Sequence, residues 1–208
     1  MSLLRHAKNK ARQIVDRLNM PELAKAELAV DRRGLPEVDP GIERIVQAGV
    51  AWLKRAQDQS TSHDGGVARD FSLLKGWAES YPETTGYIIP TMLDCARRFD
   101  DVDARERAKR MLDWFVAIQF PEGGFQGGKI NAKPRVPVTF NTGQILLGLA
   151  AGAAEFGEPY LGAMHKAAQW LADSLDDDGC WRKHPTPFAE AGEKTYETHV
   201  VWSLLEAD

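Results

Sequence analysis

The stretch Gln119-Phe120-Pro121-Glu122-Gly123-Gly124-Phe125 decides how the rest of the chain is read. It follows the helical segment Leu112-Asp113-Trp114-Phe115. It precedes Thr139-Phe140-Asn141-Thr142-Gly143, which leads into an apolar run from Gln144 to Phe156. A glycine pair behind a polar turn ends a helix, and Thr and Asn ahead of an apolar run begin one. The stretch therefore joins one helix to another through a turn and a loop.

The same unit stands on either side. Upstream, Trp52 is followed by Gln57, then Asp64-Gly65-Gly66-Val67, then Glu83-Thr84-Thr85-Gly86 and the helix Tyr87 to Phe99. Downstream, Trp170 is followed by Leu175 in the Gln position, then Asp178-Gly179-Cys180-Trp181, then Tyr196-Glu197-Thr198-His199 and the apolar segment Val200 to Leu205. Thr85, Thr142 and Thr198 lie 57 and 56 residues apart. Three features at one period mark a structural repeat. One hairpin cannot bury both faces of its apolar helix, but stacked neighbours can. The outer helices carry charge on one face, as at Arg105, Glu106, Lys109, Arg110 and Asp113. The inner run Ile145 to Ala151 is apolar nearly all round, as an enclosed helix should be.

The Gln119…Gly123-x-Phe125 spacing resembles the Gln-x3-Gly-x-aromatic repeat of squalene and terpenoid cyclases. Leu175…Gly179-x-Trp181 matches its second half. Gly123-Gly-Phe-Gln-Gly127 is similar to the repeats of protein prenyltransferase β-subunits. The resemblance covers about residues 42–208. It implies an all-α fold, an α/α toroid built of helical hairpins, with about three of the five to seven hairpins of a full barrel and so incomplete. It also implies that these turns tie an outer helix to an inner one, a structural task.

The organisation follows. Residues 1–40 form N-terminal helices and a connector. Leu3, Leu4, Ala7, Ala11, Ile14, Val15 and Leu18 predict an amphipathic helix over 3–19. Pro21 opens a second helix to about Val30, and Asp31 to Gly41 is a connector. Residues 41–208 form the toroid region, with repeats at about 42–99, 104–156 and 160–208. The formal net charge of −4 argues against a nucleic-acid partner, and Arg5, Lys8, Lys10, Arg12 and Arg17 read as a solvated helix face. Cys95 and Cys180 make no disulfide framework. No signal peptide is legible, and the longest apolar run, Ile145 to Ala154, is too short to span a bilayer. The expected location is cytoplasmic. The partners expected are a small-molecule or glycan ligand, and either the remaining toroid repeats or an oligomer partner.

Chemistry is sought first in the motifs that the resemblance implies. The Asp-x-Asp-Asp acid of terpenoid cyclases has no match, because Asp176-Asp177-Asp178 falls in a repeat turn. The Asp, Cys and His zinc ligands of prenyltransferases cannot be placed, and Cys180 with His184 gives only two ligands. No metal or other cofactor is expected. Cys95 sits among apolar residues and is expected in the core.

The starts of the three inner helices carry a stronger signal, since in a toroid they converge on one mouth. Capping accounts for some of Thr84, Thr139, Asn141 and Thr195. It does not require Glu83, Glu197 and His199 beside Tyr81, Phe140 and Tyr196. Carboxylates, an amide and an imidazole among aromatic planes suit a sugar, and two carboxylates flanking a bond can do acid–base work on a glycoside. The candidate catalytic residues are Glu83, Glu197 and His199. The candidate substrate-binding residues are Tyr81, Asn141, Gln144, Tyr196 and Trp77. Arg69 and Asp70 could reach the same cavity or the opposite end. Pro90, inside the first inner helix, is expected to kink it. Three functions stand open: an enzyme or enzyme fragment processing a carbohydrate, of glycoside hydrolase, polysaccharide lyase or sugar epimerase type; an isoprenoid-processing enzyme of the cyclase or prenyltransferase type; and a non-catalytic binding or scaffold module.

Overall fold

In the computed structural model, the three apolar segments lie side by side as one layer and the Trp-bearing helices form a second layer behind them. The structure describes residues 2–35, 37–190 and 194–208, leaving aside the side chains of residues 2–7 and of Leu23. Pro36 of the connector, Ala191 to Glu193 of the third loop, and the side chains of Leu3, Leu4, Arg5 and Ala7 therefore lie outside the described residues. The helices are α1 (Ser2–Asn19), α2 (Glu22–Arg32), α3 (Ile42–Asp58), α4 (Pro82–Phe99), α5 (Val102–Ile118), α6 (Thr139–Phe156), α7 (Tyr160–Ser174) and α8 (His199–Glu206). The last is led in by a 3-10 turn, Thr195–Thr198. Pro21 stands just before α2 rather than inside its first turn. This is the all-α toroid architecture, with α3, α5 and α7 outer and α4, α6 and α8 inner.

The apolar inner helices pack as expected. In α6, every residue from Asn141 to Ala150 is buried. α4 lies against it on one side and α8 on the other. Two glycines and a proline set the α4–α6 distance. Pro90 has no N–H, so the Gly86 carbonyl has no donor at the i+4 position. A Cβ on Gly148 would stand 2.4 Å from that carbonyl oxygen, and a Cβ on Gly86 would stand 2.5 Å from the Gln144 carbonyl. Only glycine allows these backbones to approach so closely. α4 itself continues through Pro90 to Phe99.

The packing pairs are offset from the sequence repeat. α4 packs more extensively on α5, and α6 on α7, than either does on the outer helix of its own unit. The α4–α5 link is Asp100-Asp101. Asp100 closes α4 in the left-handed conformation (φ 52°), and Asp101 caps α5 by accepting from the Ala104 N–H. The link from outer to inner helix within a unit is instead the long loop that follows the glycine turn.

The repeat motif holds these layers together in a way the sequence did not disclose. Gln57 Nε2 donates to the Gly65 carbonyl at 2.9 Å and to the Arg107 carbonyl of α5 at 3.2 Å. Gln119 Nε2 donates to Gly123 O and to Ala163 O of α7, both at 2.9 Å. Each glutamine thus ties its turn to the next outer helix, not to the inner helix of its own unit. The tie to the inner helix is made by threonine. Thr85 Oγ1 accepts from Val67 N–H at 3.0 Å and donates to Tyr81 O at 2.8 Å. Thr142 Oγ1 accepts from Phe125 N–H at 2.9 Å and donates to Val138 O at 2.8 Å. Both threonines are fully buried, while Thr198 is exposed and donates to Thr195 O.

The expected side-chain caps do not form. The N-cap positions of α4 and α6 are Tyr81 and Val138, and neither side chain caps its helix. Thr139 N–H donates instead to His184 O of the third loop, so a neighbouring loop satisfies what a cap would have. The first loop also holds a small hairpin, Phe71–Ser72 with Gly76–Trp77, where a plain loop was expected. Gly76 supplies the positive φ of its turn (78°), and Ser72 Oγ accepts from Leu74 and Lys75 N–H. Cys95 is buried in the core as expected. No described helix is long and apolar enough to cross a membrane.

Candidate functional site

The starts of the inner helices face one cleft of about 460 Å3. Glu83 and Tyr81 come from the start of α4, Phe140 and Asn141 from the first turn of α6, and Tyr196 and Glu197 from the turn leading into α8. Three equivalent positions in sequence therefore become one surface. The loops that rim it are braced to each other. Ile130 N–H of the second loop donates to Ser80 O of the first, and Lys129 pairs with Glu79. That ammonium group holds the Glu79 carboxyl below the usual range. Gly128 (φ 75°) lets the second and third loops meet, because a Cβ there would stand 2.6 Å from the Phe188 ring.

Glu83 is held from two helices. Tyr81 Oη donates to Glu83 Oε2 at 2.7 Å, and Asn141 Nδ2 donates to the same oxygen at 2.9 Å. Neither donor engages Oε1. Burial pushes the Glu83 carboxyl above its usual range, and the two donated bonds pull it part of the way back. Burial and the neighbouring carboxylate also raise the Tyr81 phenol, which stays protonated and a donor.

Glu197 stands in a different environment. It is 8% exposed, and no described residue donates to its carboxyl group. Burial pushes it up, opposed only by the charge of Lys194. Two carboxyl groups thus share one cleft: one braced by two donors, the other without any. Burial raises both carboxyls, and only Glu83 has donated bonds that oppose it. Aromatic planes complete the wall. Phe140 and Tyr196 meet edge to face at 4.8 Å between ring centroids, and Phe188 also lines the cleft.

Three expected site residues do not line the cleft. Trp77 packs on Trp52 at 4.7 Å and on Phe71 at 4.9 Å, because its hairpin folds back on α3. Gln144 is buried three residues beyond Asn141, which turns it toward α8, where Nε2 stands 3.4 Å from His199 Nδ1. His199 also meets Trp202 edge-on at 5.2 Å. Gln144 lies on the same face of α6 as Asn141 but nearly a full turn deeper, below the cleft, and His199 opens α8 beyond the turn that carries Glu197. Conversely, Arg69 does line the cleft, paired with Asp70. Thr186 and Phe188 line it too. Their signal was an aromatic residue in an otherwise polar, proline-rich loop. Asp176 to Asp178 form a turn, with Asp178 accepting from Cys180 N–H. No group of three or more His, Cys, Asp or Glu among the described residues is placed to hold a metal.

Solved structures share this architecture. A possible member of the GH105 family from Salmonella enterica serovar Paratyphi A matches with a TM-score of 0.62 at 10% identity, over 79% of this chain and 50% of its own. A possible GH105 member from Klebsiella pneumoniae matches at 0.60 and 11%, over 79% and 49%. A polysaccharide lyase matches at 0.55 and 19%, over 76% and 51%. The fold is an α/α toroid. The chain spans about half the length of these structures. At such identities the likeness establishes architecture alone. No family model matches the sequence, and no curated protein matches it.

Proposed function

We propose that this toroid region binds and processes a carbohydrate in the cleft at the inner-helix starts. The observation that carries the reading is the pair Glu83 and Glu197, two carboxyl groups in unlike environments on one aromatic-walled cleft. Glu197, raised by burial and without donors, holds the proton that a leaving glycosidic oxygen needs. Glu83, braced by Tyr81 and Asn141, holds the charge that draws a proton from water or from a sugar carbon. Phe140 and Tyr196 offer apolar faces to a pyranose ring. Neighbours described as possible GH105 members and as a polysaccharide lyase support the substrate class.

The test is a thermal-shift screen with neutral and acidic oligosaccharides, followed by turnover of any that bind. Glu83→Gln and Glu197→Gln should each keep ligand binding and lose about 10²–10⁴-fold in turnover. Full turnover in either variant removes that residue from the chemistry. The Gln-Gly-aromatic repeat favours a second reading, an isoprenoid-processing enzyme. Stabilisation by prenyl diphosphates and not by sugars would select it. No response to either class would leave a binding or scaffold module.

A further inference from the structure

We propose that α1 lies on an anionic lipid surface, its apolar stripe against the acyl chains and its flanking cations among the head groups. No residue of α1 lines the cleft, so the activity proposed there plays no part in this.

At 3.6 residues per turn, Leu3, Leu4, Ala7, Ala11, Ile14, Val15 and Leu18 fall within about 120° of arc around the helix Ser2–Asn19. No polar residue falls inside that arc. The cations fall at its edges. Lys10 and Arg17 border one side and Lys8 the other, with Arg5 and Arg12 farther round. Asp16 is the one acid of the segment. It therefore carries a net +4 in a chain of net −4, and the rest of the chain carries −8.

The fold uses neither the stripe nor the cations. Ile14, Val15 and Leu18 are 60%, 53% and 74% exposed. No described helix packs along α1. Lys8, Lys10, Arg12 and Arg17 form no ion pair among the described residues. Cations of the outer helices behave otherwise. Lys54 of α3 pairs with Asp101 and Asp103, and Arg107 of α5 pairs with Asp58 and Asp103.

Exposure alone would name no partner, but the charges at the edges of the stripe do. A helix with such an arc lies in the plane of a membrane interface. Lys and Arg at its margins keep their stems in the apolar layer and their heads beside lipid phosphates and carboxylates. A second copy fits worse. Leu4, Ala7, Ala11, Ile14 and Leu18 have coiled-coil spacing, yet the positions beside them hold Lys8, Lys10 and Arg17, like charges that repel an identical helix. A nucleic-acid backbone would take the cations and leave the stripe in water. The acidic remainder of the chain is repelled by the same lipid surface, which leaves α1 as the contact.

Co-sedimentation of the full chain with vesicles tests this. Phosphatidylcholine vesicles with about a third phosphatidylserine should bind it on the order of 10-fold more tightly than phosphatidylcholine alone, and added salt should weaken that binding. Lys10→Gln with Arg17→Gln should weaken it on the order of 10-fold by lost charge. Ile14→Gln with Leu18→Gln should weaken it on the order of 100-fold by lost burial. All four positions are exposed, and circular dichroism checks that the fold is kept. Leu35→Gln, at an exposed apolar residue outside α1, should bind as the unaltered chain does. No binding, equal binding to both vesicles, full binding by either double variant, or loss in Leu35→Gln overturns the proposal. So does a lipid-free dimer, seen by sedimentation equilibrium, that Ile14→Gln with Leu18→Gln disperses, since the stripe would then belong to a second copy.

Discussion

Asn141 Nδ2 stands 2.9 Å from Glu83 Oε2 and joins the first turn of α6 to that of α4 across 58 residues of sequence. The bond fixes the Glu83 carboxyl within the cleft and favours its charged form. Asn141→Leu removes a donor from a carboxyl that burial already raises. We expect Glu83 to titrate at higher pH in this variant, read by carbon NMR of the side-chain carboxyl. An unmoved titration would mean that the bond does not form in solution.

Glu197 predicts a pH dependence of stability. Its folded value is raised above the ordinary 4.5, so the folded state holds the proton more tightly than the unfolded chain. Stability contributed by the protonated group is full below 4.5 and is lost as pH rises through the folded value. Glu197→Gln should therefore raise the melting temperature at neutral pH and leave it nearly unchanged in acid. Thermal scans at both pH values decide this. A variant destabilised at neutral pH contradicts it.

The threonine ties predict a contrast between units. Thr142→Val leaves the buried Phe125 N–H without its acceptor and should cost about 1–3 kcal/mol. Thr198→Val removes only an exposed local bond and should stay within about 0.5 kcal/mol. Urea unfolding of both variants checks the difference, and equal costs would refute the assigned roles.

The glycines predict opposite signs. Gly86→Ala places a methyl 2.5 Å from the Gln144 carbonyl and 2.6 Å from Ile145 Cα. Backbone cannot yield as a side chain can, so the loss should reach about 3 kcal/mol or more. Gly49→Ala, in exposed α3 with nothing within 4 Å, should gain about 0.5–1 kcal/mol. Melting temperatures in opposite directions are the expected outcome.

The repeat is legible in the order of residues alone. The spacing of Trp114, Gln119, Gly123 and Thr142 and its echoes states which segments are helices, where they turn and which are enclosed, because periodicity and turn chemistry act over a few residues. It also named Glu83, Asn141 and Glu197, since equivalent positions in stacked units must come together. Tertiary structure alone decided which neighbours share the cleft. Gln144 and His199 meet each other a turn away from the cleft, Trp77 folded back on α3, and Phe188 and Arg69 arrived on loops whose paths no local pattern fixes. The glutamine's second bond, to the next outer helix, was likewise hidden, because its acceptor is a backbone carbonyl some 50 residues on that any side chain could have accompanied.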